Sequence, residues 1–423
     1  MRMRLKKASF VVFISSLFAL TGIVPGALAE PGKGVPFQVL QAQIDALQDA
    51  VEQLSQQVGG GDKAELVECD QGDTIADALA GSGAARRVIL TITGQCNEAV
   101  NLTRDDVTLL GGSGTITGRI TLDGAHRIVI DGLTLPGGIA AERGATVLIQ
   151  NSTIDVGSDT AILAIHGSFA EILNNPLIRS EERCAVLATE RGEVRMQGNP
   201  MIQSNQSSNS ICAALGIFRG GLARLLGGNN LVNGAGGDVF TIVDGSVLRQ
   251  DGGLDSFQGN GFIARTGHAE IRNAAFDGGR LQVGNNSSVR FQNSVLNGEL
   301  AVFNMSLVEF RNNTAINESI GVFQNSTVRV RPGNTVNGDM VIGARSQAVF
   351  NFGGAGGTVN GHIICDVATS PRLGPPLGLQ LLVQPPPGGF GTPIITTGAD
   401  PAFAFRGAVV GSPLGTVSFE NCN

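Results

Sequence analysis

Apolar residues in the middle of this chain come in short pulses, and the polar residues between them repeat. Residues 280–298 read RLQVGNNSSVRFQNSVLNG, 299–318 read ELAVFNMSLVEFRNNTAINE, and 319–338 read SIGVFQNSTVRVRPGNTVNG. Each copy holds three pulses, which in the first are Leu281/Val283, Val289/Phe291 and Val295/Leu296. Period-two alternation bounded by Asn, Gly and Ser predicts short strands. A three-stranded repeat of about twenty residues cannot bury its apolar face alone, so copies must stack into a solenoid of parallel strands. The turns fall into register from about Gly118, with later starts at Ile139, Thr160, Arg183, Ser210, Asp238, Phe262, Arg280, Glu299, Ser319, Asp339 and His362.

Upstream, Phe37, Leu40, Ile44, Leu47, Val51, Leu54 and Val58 step by three and four. This is an a/d seam suited to a parallel coiled-coil dimer, so residues 37–58 are the expected homo-oligomerisation segment. One amphipathic helix folded onto its own domain is the alternative. Gly59, Gly60 and Gly61 make a flexible joint. Residues 65–69 then predict a first strand and residues 73–80 a short helix across the open end of the stack, shielding its edge. Further strands are expected at residues 87–92, 99–102 and 107–110. An Asn precedes the last strand of most turns: Asn151, Asn175, Asn199, Asn273, Asn293 and Asn313. Such a column predicts side-chain amides bonding the bends above and below. After residue 366, Pro371, Pro375, Pro376 and Pro385–Pro387 oppose regular pairing. Residues 402–410 and 416–419 are expected to form a small capping hairpin.

The cap phrase DTIADALA, RIVIDGLTL (residues 127–135), VLIQNSTI (residues 147–154) and the Asn column resemble the pectate-lyase-like right-handed parallel β-helix superfamily. The resemblance covers residues 65–366. It implies an all-β fold, a right-handed parallel β-helix of about 12 turns. It leaves activity open, because such helices serve as lyases, hydrolases, esterases, tailspikes and adhesins. The expected segments are a signal peptide (1–29), a neck with Gly linker (30–61), the β-helix (62–366) and a Pro/Gly-rich capping tail (367–423).

The first segment sets the address. Arg2, Arg4, Lys6 and Lys7 precede an apolar core and an Ala27-Leu28-Ala29 cleavage site, the pattern of a secretory signal. The reading is a secreted bacterial protein, periplasmic or extracellular, with no membrane span after cleavage. Removing those four cations and no acids takes the formal charge from -7 to -11, which argues against nucleic acid as a general partner. The chain has no Trp and no Tyr, so it lacks the usual sugar-stacking platforms. Six Cys in a secreted chain suggest disulfides, with Cys69–Cys96, Cys184–Cys212 and Cys365–Cys422 as the nearest pairings.

The catalytic phrases of the resembled enzymes are missing. There is no W-I-D-H or R-x-P-x-x-R phrase of pectate lyases, no set of polygalacturonase elements and no Q-D-T-L of methylesterases. The register itself offers one constellation. Aligned on the bend after the first strand, successive turns place Asp123, Arg143, His166, Arg191, Arg219, Asp244 and His268 in one file, followed by Asn285, Asn304, Asn325 and Arg345. A strip of alternating charge at about 4.8 Å per turn would contact an acidic polysaccharide or a surface protein. In a lyase, His166, Arg191 and Arg219 would supply the base and the carboxylate-neutralising cation. A merely solvated turn column is the competing reading. No metal site is assigned; Asp238, Asp244, Asp251, Asp255 and Asp277 are the weak candidates for calcium, without cage spacing. Two functions are carried forward, an exported non-catalytic rod and a lyase acting on a uronate polymer.

Overall fold

The computed structural model describes residues 61–206, 212–253, 255–343 and 345–353, with 358–360, 362–365, 380–384, 405–406 and 414–420. The signal segment, the heptad seam and Cys422 lie outside the described residues. The chain divides into two units, Met1–Gly60 and Gly61–Asn423. The second is a parallel β-solenoid of about 13 turns with almost no helix, as the pulse pattern requires.

Each turn feeds three sheets. First strands such as Ile162–Ala164, Val186–Ala188 and Leu215–Ile217 join a 14-stranded sheet. Second strands such as Phe169–Leu173, Glu193–Gln197 and Leu222–Leu225 join a 16-stranded sheet, and third strands such as Leu177–Ser180 and Ile202–Ser204 a 10-stranded one. Pairing between turns is parallel and in register, Ile162 on Val186 and Val186 on Leu215, broken by one bulge between Asp238 and Phe240. Period-two alternation sends every second side chain inward, where like residues form files. In the third sheet Ile154, Ile178, Ile202, Leu231, Phe257, Phe276, Leu296, Ile316 and Val336 are all nearly or fully buried. Burying each such side chain contributes about 1.5–3 kcal/mol. Volume is traded between neighbouring turns. A Cβ on Gly261 would meet the Phe240 ring at 2.8 Å and Leu281 Cδ1 at 2.7 Å, so the glycine makes room for the buried phenylalanine above it.

Both ends are closed. The helix Ile75–Ala80 is capped by Thr74, whose hydroxyl accepts from the Asp77 amide at 3.0 Å. Glu98 accepts from the Ile75 amide at 2.6 Å, placing a carboxylate at the helix start. At the far end the expected hairpin is replaced. Leu414–Glu420 pairs antiparallel with Gln347–Gly353 and with Gln380–Gln384, while Phe405–Arg406 pairs with His362–Cys365. The edges of the 16- and 14-stranded sheets are thus covered separately, and in sequence the prolines flank Gln380–Gln384 instead of interrupting it.

The Asn column resolves into two adjacent files. Asn151, Asn273, Asn293 and Asn313 occupy the bend itself with φ of 50°, 52°, 51° and 55°, a left-handed conformation that Asn tolerates. Asn175 and Asn199 stand one residue further on, fully buried, and are continued by Asn229 and Asp255. There Asn199 Oδ1 accepts from the Asn175 amide at 3.0 Å, and Asn229 Oδ1 accepts from Asn199 Nδ2 at 2.9 Å. Asp255 Oδ1 closes the ladder, accepting from the Asn229 amide at 2.8 Å. Cys69–Cys96 and Cys184–Cys212 are formed, with Cα atoms 5.0 and 4.7 Å apart. Among the described residues no helix is long and apolar enough to cross a membrane; both features are compatible with export.

Two predictions follow from the ladder. Asn199→Ala orphans polar groups on both sides and should cost about 2–3 kcal/mol in denaturant unfolding. Burial raises the Asp255 carboxyl above its ordinary value, against opposing hydrogen bonds from Asn229 and Gln250, and burial pushes Asp238 up to about 6. A raised acid contributes stability that is complete below the unfolded value, about 3.9, and lost as pH rises through the folded one. Asp255→Asn should therefore stabilise at neutral pH, with the gain vanishing towards pH ~4; unfolding curves at the two pH values check it.

Candidate functional site

The bend after the first strand is built from two successive left-handed residues. Arg143 and Gly144 have φ of 52° and 80°, His166 and Gly167 55° and 75°, Arg219 and Gly220 48° and 75°. Glycine takes the second position freely, whereas an L residue at the first costs roughly 1–2 kcal/mol. Backbone bonds fix the file: Gly167 donates to the Glu190 carbonyl, Gly220 to that of Asp244 and Gly245 to that of Arg265. The observed file is thus Arg143, His166, Glu190, Arg219, Asp244 and Arg265.

Five of the expected members lie elsewhere; Asn325 and Arg345 each stand one step past the bend, Asn325 behind Gln324. Asp123 pairs with Glu142 in the first sheet, one step before the bend. Arg191 falls one step after it, because this turn carries charged residues at both left-handed positions, Glu190 at φ 50° and Arg191 at φ 67°. His268 begins the following second strand, and Arg265 takes its place at the bend. The observed placement of these charges sets the electrostatics of the bend. Arg143 bonds Asp123 at 2.7 Å, Glu190 joins His166 and Arg219 at 2.7 Å each, and Arg265 meets Asp244 at 3.1 Å. Of the cations proposed to clamp a ligand, Arg143, His166 and Arg219 are already paired along the file. Arg143, His166 and Arg219 are also 70%, 53% and 69% exposed. Among the described residues Arg191 has no ion pair, and it is exposed.

The outward face of the 16-stranded sheet carries a second, longer file. Its register runs Thr108, Val129, Leu148, Glu171, Arg195, Arg224, Arg249, Glu270, Arg290, Glu309, Arg329. The early part is apolar, and a hollow of about 410 Å³ lies over Thr108, Val129, Leu148 and Phe169, rimmed by Arg127 and Glu171. From Glu171 to Arg329 every middle position is charged. Glu309, only 8% exposed, binds three arginines: Arg290 Nε at 3.2 Å, Arg311 Nη2 at 2.8 Å and Arg331 Nη2 at 2.6 Å. Burial raises the Glu309 carboxyl, but hydrogen bonds from Arg311 and Arg331 overcome this and hold it below the usual range. A hydrogen bond from Arg272, reinforced by Arg290, does the same for Glu270. His268 sits beside this file with Nδ1 2.7 Å from Ser288 Oγ, and burial lowers its pKa against the opposing pull of Glu270.

The sequence carried a signal for this file that the bend alignment passed over. A single charge stands between two inward residues in the second strand of turn after turn, as in Val194-Arg195-Met196, Ala223-Arg224-Leu225, Val289-Arg290-Phe291 and Val308-Glu309-Phe310. The five candidate calcium acids are spread out. Asp255 is inside, Asp244 on the bend, Asp251 beside Arg272, Asp277 bonded to Asn297, and Asp238 at a first-strand start. Among the described residues no three potential ligands converge. No family model, curated protein sequence or solved structure matches the chain.

Removing the carboxylate that gathers three arginines should be costly. Glu309→Gln is expected to lose about 2 kcal/mol, below the value for a fully enclosed pair because the arginines remain partly solvated. Its depressed pKa means the contribution is present above the unfolded Glu value, about 4.3, and lost as pH falls through the folded value. Urea unfolding of parent and variant at pH ~7 and pH ~3 should show the gap closing in acid.

Proposed function

We propose that the chain is an exported, non-catalytic β-solenoid that contacts acidic glycans through its lateral surface. The observation that carries this reading is the outward file of the 16-stranded sheet, where charge occupies the four successive strands from Glu171 to Arg249 on one continuous face. The bend file supports the non-catalytic part. His166 is tied to Glu190 and open to water, whereas acid–base catalysis is favoured by a group held apart from solvent and poised for its substrate. The repeat phrases and the buried amide ladder support membership of the pectate-lyase-like right-handed parallel β-helix superfamily, and residues 1–29 and the two disulfides support export. The heptad seam at 37–58 would present the solenoid as a parallel dimer.

A uronan lyase is the second reading, favoured by one observation: Arg191 is exposed and free of ion pairs among the described residues, one step from the bend file that holds His166. The mature chain, incubated with a panel of uronate polymers, is expected to raise no absorbance from new unsaturated ends. Turnover that disappears in Arg191→Ala and His166→Ala would replace this proposal with the lyase. Sedimentation of the mature chain with and without residues 30–61 is expected to give dimer and monomer respectively.

A further inference from the structure

The outward file of the 16-stranded sheet divides into two stretches. From Glu270 the signs alternate through Arg290, Glu309 and Arg329, the arrangement in which neighbouring strands stabilise one another. Before it, Arg195, Arg224 and Arg249 occupy three successive strands with the same sign. At about 4.8 Å per strand this is a repulsive run, and like charges directly opposite are destabilising. The protein does little to relieve it. Arg195 and Arg224 each approach one carboxylate of the preceding turn, Glu171 at 3.5 Å and Glu193 at 3.3 Å. Neither makes a side-chain hydrogen bond among the described residues, and Arg249 has no partner there at all. Its neighbour Glu270 is already held by Arg272 and Arg290. Arg195 and Arg224 are 45% and 43% exposed, and Arg249 is exposed.

We infer that Arg195, Arg224 and Arg249 form a binding site for a linear acidic polysaccharide lying across the strands, with carboxylate or sulfate groups seated on the guanidinium forks. This rests on the glycan-contact reading above and assigns it to one place. Each guanidinium offers a planar fork of donors matched to an oxyanion, and bidentate pairing is both stronger and more directional than a point-charge contact. An extended pyranose chain advances by a distance comparable to one strand spacing per sugar, so successive sugars meet successive arginines. Leu222 and Val247, half-buried on the outward face of the same strands, and half-buried Leu226 just beyond the first of them, offer apolar surface to the sugar rings. Nucleic acid fits less well, since the chain is acidic overall, with a formal charge of -7, and has no Trp or Tyr on which unpaired bases stack.

The test measures retention of labelled polygalacturonate, dextran sulfate, uncharged dextran and duplex DNA by the mature protein. The variants are Arg224→Gln, Arg249→Gln, the triple change with Arg195→Gln, and Arg329→Gln as an equal charge loss elsewhere on the face. At least one acidic polymer should bind and uncharged dextran should not, the tighter of the two naming the anion. Each single change in the run should weaken binding about tenfold, the triple by more than a hundredfold, and Arg329→Gln by less than about twofold. The triple variant should melt no lower than the parent, because it removes repulsion. Absence of binding to both acidic polymers, an equal loss in Arg329→Gln, or duplex DNA bound as tightly with the same arginine dependence would overturn the site. Unsaturated ends appearing in the polygalacturonate would instead overturn the non-catalytic reading, leaving the arginine dependence to be read from retention.

Discussion

Everything in this protein follows from the parallel backbone ladder between successive turns. Each strand satisfies its amides and carbonyls on the strand of the next turn, so its register is not free to slide. A one-residue slip would turn a whole inward row towards water. Residues at equivalent positions are therefore held one strand spacing apart from one end of the solenoid to the other. A side chain's nearest long-range neighbours are its own counterparts. Most extra residues are absorbed in the connections between strands, where they disturb no ladder; Val239 is taken up in a bulge within its strand.

That constraint makes both faces of the sheets sensitive to repetition. Inside, repetition is favourable: apolar files pack, aromatic neighbours such as Phe291 and Phe310 stack with centroids 5.5 Å apart, and side-chain amides bond end to end. Outside, repetition of charge is favourable only when signs alternate. The stretch around Glu309 alternates and binds itself together. The stretch from Arg195 to Arg249 does not, which separates a self-neutralising surface from one left with unused donors.

The bend file shows how much of the surface could be read in advance. Counting from the strand ends located Arg143, His166, Arg219 and Asp244 at the bend, because all four precede a glycine or lie at a clean strand boundary. It misplaced Asp123, which stands one step early although Gly124 follows it, and Arg191 and His268, since neither of those two turns has a glycine at its second left-handed position to mark the corner; Arg191 and Thr266 stand there instead. It also could not foresee that Glu190 would be shared between His166 and Arg219. Pairing across turns depends on rotamers and on which oxygen faces which turn, and neither is written in spacing. The Asn column failed in the same way: one residue separates an asparagine that shapes the corner from one that fills the ladder.

The pulse pattern by itself determined the solenoid and its three strands per turn, while the DTIADALA phrase marked the capping helix and nearness along the chain paired Cys69 with Cys96 and Cys184 with Cys212. Period-two alternation and turn chemistry are local properties, and stacking is the only way such short repeats can bury their apolar rows. The tertiary structure alone decided which charges are spent on one another and which remain available. It also decided how the tail divides between two sheet edges and that Asp255 ends a buried amide ladder. Those outcomes depend on exact register between segments that the chain brings together only after the backbone ladder has formed.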